Sequence, residues 1–282
     1  MSVRLALPIL LLLTAPRVVV GAGHGPLFGA ATPTLGKGGW SVDMTWMVRR
    51  GETEDAGEQM LKSMLSYGVT EKLQISISVP LVMTSGSVAS ARTMSAMSNE
   101  QEIETMAGYR FQRRVVGVGG RQESTVYVGF TAPLDSRRGS VAPSASLYVG
   151  AATGYASRSH YIWLGGGIQR YAGDDGMRQG TARFGSVVYG FRPRRFRVES
   201  DRPDARVFVE ATAEDRTADT VGGVRRPTAA RSVFVGPTTL VLYKAAAFEA
   251  GILWPAYQRV EVGRARERFR VAVNVSYFFW LK

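Results

Sequence analysis

The sequence contains no cysteine and only two histidines, His24 and His160, among its 282 residues. The absence of cysteine excludes disulfides, thiolate metal sites, iron–sulfur clusters and a thiol nucleophile. With so few histidines, we expect neither a metal centre nor a bound cofactor. The chain also lacks an apolar run that could span a membrane as a helix. No uncharged stretch is longer than Gly139–Ser157, which is broken by Pro143 and Gly150.

Positive charge and glycine are what the chain has in excess. The 35 Lys and Arg residues outnumber the 23 Asp and Glu residues, and 32 residues are glycine. The basic residues are scattered over predicted connections and do not form a basic patch with interleaved aromatics, so we expect no nucleic-acid partner. They are better suited to an anionic lipid surface.

The first residues have the features of an export signal. Arg4 gives a short positive region, Leu5–Leu13 is an apolar stretch, and Val20, Gly21 and Ala22 form a small-residue cleavage site. We therefore predict a cleaved signal peptide at residues 1–22. An N-terminal extended segment at residues 23–38 and a single β-domain at residues 39–282 would follow it.

Alternation of apolar and polar residues is the main pattern in that domain. In the last segment the apolar and polar residues alternate over about ten positions, which is the length of a strand that crosses a bilayer at a tilt. The apolar positions are Phe269, Val271, Val273, Val275, Tyr277 and Phe279. Similar stretches recur along the chain and give twelve strands.

The lengths of the connections support a membrane barrel. The first, third, fifth and later odd-numbered connections are mostly long, whereas the even-numbered ones are mostly short, apart from Gln112–Arg121 and Arg192–Asp204. Outer-membrane barrels have long loops on one side and tight turns on the other. The fold class that we predict is all-β, a closed antiparallel transmembrane β-barrel of about 12 strands in the bacterial outer membrane. Its basic connections would contact outer-membrane lipid and lipopolysaccharide, and its folding would depend on the barrel-assembly machinery.

Several short motifs resemble a known family. They are His24–Gly29, Thr32-Pro33, Lys37–Trp40, Tyr67–Thr70, Leu73–Ser76, Tyr109–Phe111, Gly236-Pro237 and Val275–Phe279. Together they resemble the bacterial outer-membrane transporter family named for the meta-pathway of phenol degradation (the MetA-pathway of phenol degradation family). The resemblance implies an envelope barrel that passes hydrophobic or aromatic compounds, without defining one solute.

Three functions are considered for such a barrel. The first is a passive channel or transporter for the uptake or export of small hydrophobic or aromatic solutes through a narrow lumen. The second is a structural or assembly-type barrel without transport. The third, a lipid hydrolase, would need a Ser–His pair, but Ser159 and His160 are adjacent in a strand and would point to opposite faces. We therefore expect no enzyme activity.

The polar faces of the strands give the candidate lumen residues. They are Asp43, Glu104, Arg110, Glu210, Glu249 and Arg270. Because a buried charge needs a partner, we expect Arg–carboxylate pairs between neighbouring strands, with Arg270 beside Asp43 or Glu249. In the N-terminal segment, the apolar residues Pro26, Leu27, Phe28 and Leu35 are candidates for a plug inside the barrel.

Overall fold

The structure is a computed structural model, and it describes most of the chain beyond the predicted signal peptide. The predicted signal peptide, residues 1–22, lies outside the described residues. Those that the structure describes are 25–52, 57–84, 102–133, 144–174, 176–196, 202–262 and 264–281.

Twelve long strands form one closed antiparallel barrel, as the sequence predicts. Each strand pairs with the next long strand along the chain, and the first pairs with the last. The barrel strands are β1 (Gly39–Gly51), β2 (Gly57–Gly68), β3 (Leu73–Thr84), β4 (Glu102–Val115), β5 (Arg121–Pro133), β6 (Ser146–Ala156), β7 (His160–Tyr171), β10 (Ala182–Phe191), β11 (Asp204–Arg216), β14 (Ala230–Tyr243), β15 (Ala246–Val260) and β16 (Glu267–Trp280). The short strands β8 (Gly173–Asp174), β9 (Met177–Arg178), β12 (Thr220–Val221) and β13 (Val224–Arg225) form a separate sheet.

The barrel has polar residues inside and apolar residues outside along much of its length. In β1, the polar residues Ser41, Asp43 and Thr45 are buried. The apolar residues Met44 and Trp46, which alternate with them, are exposed. A barrel in water would have the opposite arrangement, whereas an outer surface of exposed apolar residues suits a lipid environment. Within the described residues, no helix is long and apolar enough to cross a membrane.

The two ends of the barrel differ in their connections. One end, which we call the terminal rim, holds the start of β1 at Gly39, the end of β16 at Trp280, and tight turns such as Lys244-Ala245. The opposite end, which we call the loop rim, holds the ends of the longer connections. In outer-membrane barrels, the short turns are periplasmic and the long loops are extracellular.

One connection is shorter than the sequence suggests. The predicted connection Gln112–Arg121 is wrong, because β4 and β5 stay paired until Val115 lies opposite Arg121. A register shift between Arg110 and Gln112 interrupts the alternation there, which hides the continuing strand from a period-two pattern. The turn itself needs glycine at Gly117 and Gly119, where φ is 64° and 76°.

A small sheet of four short strands is held at the loop rim by Asp219. Its carboxylate accepts a hydrogen bond from the Gly180 N–H at 2.7 Å, and it forms ion pairs with Arg216 and Arg264 at 3.4 Å each. Burial tends to raise the pKa of Asp219. The charges of Arg216 and Arg264 and the Gly180 hydrogen bond outweigh that effect, so the pKa lies below its ordinary value.

Aromatic side chains gather on the outer surface at the terminal rim. The ring of Trp40 lies 4.5 Å from that of Tyr67 and 6.3 Å from that of Phe279, and Phe279 also stacks on Tyr277 at 6.2 Å. Rings of this kind settle at the interface between the apolar band and water. The first two strands and the last are therefore anchored at one depth.

The exposed apolar band can be tested with one substitution at two depths. Val128 lies midway along β5 and is 49% exposed, whereas Val118 lies in the turn at the terminal rim and is 91% exposed. We expect Val128→Arg to lower the free energy of unfolding by about 2–4 kcal/mol and Val118→Arg by under about 1 kcal/mol. Denaturant titration of protein refolded in liposomes measures both. Equal effects would contradict the assignment of this surface to lipid.

Candidate functional site

The N-terminal segment, residues 25–38, runs inside the barrel before it joins β1. Leu27, Phe28 and Ala30 are buried, and so is Leu35 further along. The segment bonds to inward side chains of β3, β5, β7, β10 and β11, which lie on different sides of the barrel wall. The interior is therefore occupied by the chain's own backbone.

Glu210 makes the most concentrated contact with this segment. Its carboxylate accepts hydrogen bonds from the backbone N–H groups of Leu27, Phe28 and Gly29 at 2.8, 2.8 and 2.7 Å. The Thr238 hydroxyl donates a fourth at 2.5 Å. A carboxylate has about four acceptor sites, so these donors satisfy Glu210 although it is completely buried. Charge-assisted bonds of this kind are stronger than neutral ones.

Other hydrogen bonds distribute the contact along the segment. Ser186 accepts from the Ala30 N–H at 2.9 Å, and Gln74 accepts from the Leu35 N–H at 2.8 Å. The Thr125 hydroxyl donates to the Thr32 carbonyl at 2.7 Å, and the Tyr127 hydroxyl donates to the Ala31 carbonyl. These bonds satisfy backbone groups that would otherwise be buried without partners.

Apolar side chains of the segment enter two separate clusters of inward residues. Phe28 and Leu27 pack in a cluster with Met47, Met60, Phe234, Leu253 and Ala272. Leu35 joins a second cluster that includes Tyr161, Trp163, Phe208, Leu240 and Phe278. The inner wall is thus more apolar than the sequence suggests, because large rings and aliphatic chains alternate with the polar residues.

The inward rings lie flat across glycines of the neighbouring strands. Phe208 is the register partner of Gly190 and Tyr148 of Gly129. A Cβ atom at Gly190 or Gly129 would approach the ring to 2.3 or 2.1 Å, which no real Cβ tolerates. Glycine at these positions lets large aromatic rings fit within a narrow barrel.

Arg270 forms a buried ion cluster in the interior, but with partners other than those predicted. It binds Glu214 through two nitrogens and Glu267 at 2.7 and 2.8 Å, and it lies 3.7 Å above the Phe234 ring. The predicted pairs with Asp43 and Glu249 are wrong. Because the register places Arg270 opposite Arg49, Asp43 is six residues away along β1, or about 20 Å.

Asp43 and Glu249 instead belong to a hydrogen-bonded network of polar side chains. Asp43 accepts from Ser41 at 3.0 Å and also from Ser276, and Glu249 accepts from Asn274 at 2.8 Å. Asn274 and Ser276 are bonded to each other at 3.0 Å, which links the two carboxylates. This network spans β1, β16 and β15 on the inner face of the barrel.

The remaining two predicted lumen residues lie apart. Glu104 binds the Lys62 ammonium and the Tyr148 hydroxyl, both at 2.8 Å, in the interior. Arg110 is only half-buried and lies near the terminal rim, where it pairs with Glu123 of the adjacent strand at 3.3 Å. Arg110 and Glu123 form an ion pair between neighbouring strands, of the kind expected from the sequence.

Residues that sequence reasoning missed are mostly aromatic or basic. Trp163 lies on β7 and Tyr148 on β6, where glycines interrupt the alternation and the sequence does not show which residues point inward. Lys62 lies in β2, where Leu61, Met64 and Leu65 also have the spacing of an apolar helix face, so the alternation is less clear. The signal that could have found Glu214 was available, since it shares the face of Glu210 on β11.

His160 does not form a nucleophile–base pair within the described residues. Its Nδ1 lies 2.9 Å from the Tyr189 hydroxyl on the exposed surface, and the Ser157 hydroxyl accepts from the His160 backbone N–H rather than from its ring. Among these residues, no group of three or more His, Asp or Glu side chains is placed to hold a metal ion.

Comparison with known proteins places the fold among outer-membrane barrels. The COG4313 outer membrane channel from Pseudomonas putida F1 superposes with a TM-score of 0.62 at 12% identity, over 87% of this chain and 97% of that one. The NanC porin superposes with a TM-score of 0.50 at 9% identity, over 84% and 98% of the two chains. No family model and no curated protein matches the sequence. The chain is a closed 12-strand barrel whose fold is that of bacterial outer-membrane proteins.

The contact of Glu210 with the N-terminal segment can be tested by a labelling experiment. Thr34 is buried and its hydroxyl has no hydrogen-bond partner among the described residues, so Thr34→Cys adds a thiol to a cysteine-free chain with little disturbance. We expect Glu210→Gln to raise the maleimide labelling rate of this thiol by about tenfold or more, because the charge behind three hydrogen bonds is lost.

The matched control is Glu214→Gln, on the same face of β11. Glu214 binds Arg270 instead of the segment, so this change should leave the labelling rate near that of the parent. Equal labelling in the Glu210 and Glu214 variants would contradict a specific role for Glu210.

Proposed function

We propose that the protein is an outer-membrane channel for small hydrophobic or aromatic compounds, with the N-terminal segment as its plug. The observation that carries this proposal is the segment itself, which occupies the barrel interior and is bound there by Glu210. In this proposal residues 1–22 are removed on export, residues 23–38 close the lumen and residues 39–282 form the barrel.

The attachment of the segment supports a plug that is separate from the barrel wall. Gly36 and Lys37 are exposed where the segment joins β1, and the joint is held at the terminal rim by a hydrogen bond from the Gly38 N–H to the Gly68 carbonyl at 2.8 Å. The segment is held by hydrogen bonds and side-chain packing and is not a strand of the barrel sheet. Displacing it would break those contacts and leave the barrel's own ladder of hydrogen bonds intact.

The lining of the lumen supports small apolar solutes over ions or sugars. The inward rings of Tyr161, Trp163 and Phe208 lie within 5.5 to 6.2 Å of one another, between their centroids. An aromatic solute can stack on such surfaces. Ions and sugars need a continuous path of water, which the packed interior of a 12-strand barrel restricts.

Two comparisons support a channel. The Pseudomonas putida structure with the same fold is named an outer membrane channel, and the sequence motifs resemble the transporter family of the phenol meta-pathway.

The filled interior equally fits a structural or assembly-type barrel without transport. Outer-membrane lipid, lipopolysaccharide and the barrel-assembly machinery are the partners that such a barrel would meet.

Deletion of residues 25–35 is the experiment that separates these functions. Purified intact protein should give low conductance in planar bilayers. The deletion should raise conductance clearly, because the interior loses its plug while the strands from Gly39 onward remain. Intact protein in liposomes should also speed the entry of phenol relative to protein-free liposomes.

Two results would contradict this proposal. Unchanged conductance after the deletion would contradict the plug, and phenol entry no faster than through bare lipid would contradict the channel. Both results together would favour the structural barrel. Heat-dependent mobility in gels verifies that the deleted protein has folded before either measurement.

A further inference from the structure

A row of charged side chains crosses the outer surface of the barrel near the loop rim. Arg183 of β10 lies opposite Asp215 of β11, which in turn lies opposite Arg231 of β14. Arg231 lies opposite Arg259 of β15. All four residues occupy one line of register across four consecutive barrel strands, and the three arginines are exposed.

A further arginine extends this row by one strand. Ile168 of β7 is the register partner of Arg183. Arg170 lies two residues after Ile168 on the same outward face, so it is a diagonal neighbour of Arg183. It is exposed as well. We call Arg170, Arg183, Arg231 and Arg259 the arginine row.

The row lies where the apolar outer band ends. On β7, the outward residues before Arg170 are apolar: Ile162, Leu164 and Ile168. On β10, the outward residues Tyr189, Val187 and Gly185 likewise separate Arg183 from the terminal rim. Each arginine is therefore the first charged outward residue beyond an apolar stretch. That depth is the boundary between the hydrocarbon of the membrane and its headgroups.

Carboxylates of the protein neutralise only part of the charge of the arginine row. Asp215, on the same line of register, already binds Arg231 at 3.1 Å and Arg183 at 3.6 Å. Glu261, two residues beyond Arg259, is already paired with Arg225. Arg170 and Arg259 form no ion pair within the described part of the chain. Like charges directly opposite each other on paired strands are destabilising, and Arg231 and Arg259 are such a pair. An anion bound between them would remove that repulsion.

We propose that the arginine row binds the phosphate groups of lipopolysaccharide. Guanidinium groups bind phosphate through paired hydrogen bonds, which a fixed row of them can present together. Long loops of such barrels face the cell exterior, so the row meets the outer leaflet, where lipid A carries phosphates on its sugars. The surface is outside the lumen, so this inference does not depend on the proposed transport.

The test uses the folded protein in detergent micelles and lipid A that carries two phosphates. Native mass spectrometry or fluorescence titration measures its dissociation constant. We expect the double variant R231Q/R259Q to bind lipid A about 30-fold more weakly, on the scale of two basic residues at an anionic membrane surface. R259Q alone breaks no ion pair in the described residues, and should weaken binding by about fivefold.

A matched control removes the same charge from the other rim. R194Q/R195Q changes two exposed neighbouring arginines in the turn between β10 and β11, at the terminal rim, and should leave the dissociation constant unchanged. Equal weakening in both double variants would overturn the proposal, since it would indicate attraction to net charge alone. Dephosphorylated lipid A that binds as tightly as the intact lipid would overturn it too.

A third arm separates the phosphate sources. Phosphatidylglycerol and inorganic phosphate are offered as competitors at the concentration of lipid A. Displacement of lipid A by either at equal concentration would overturn a lipopolysaccharide site in favour of a general anionic one. Phenol entry measured on the same variants should stay unchanged, which keeps this test distinct from that of the channel.

Discussion

The hydrogen bonding of the backbone is the constraint on which the rest of this structure depends. In lipid, no water is available to N–H and C=O groups, so a sheet must close on itself. Here the closure is the pairing of β1 with β16, from Gly39 opposite Trp280 to Gly51 opposite Glu267. Once the barrel is closed, one face of every strand is committed to lipid and the other to the interior.

The interior then has to satisfy polar and apolar groups in a small space. Four inward carboxylates accept hydrogen bonds from different donors: backbone N–H groups at Glu210, an amide group at Glu249, hydroxyl groups at Asp43, and guanidinium at Glu214. Aromatic rings take the space that these networks leave. This division explains how one barrel can hold both strong ion pairs and apolar clusters.

The sequence carries most of the information about the fold and less about the interior. Alternation in segments such as Phe269–Phe279 predicts strands, and the even count of twelve agrees with the closed sheet. It fails where a register shift interrupts it, as after Arg110, and where glycines blur the faces, as in β7.

The pairing of charges could not be predicted because it depends on register and on contacts across the lumen. Arg270 binds Glu214, although β14 and β15 lie between their strands. A pattern along one strand identifies which residues point inward. It cannot say which inward residues meet across the barrel, since that distance is set by the closure and stagger of all the strands together.

The position of Glu210 also has a consequence for the order of assembly. Leu27 and Glu210 are separated by 183 residues along the chain, so this contact can form only after β11 has been made and placed. The segment's other partners lie on β3, β5, β7 and β10. The full set of contacts that holds the segment can therefore form only after the wall on both sides of the lumen is in place.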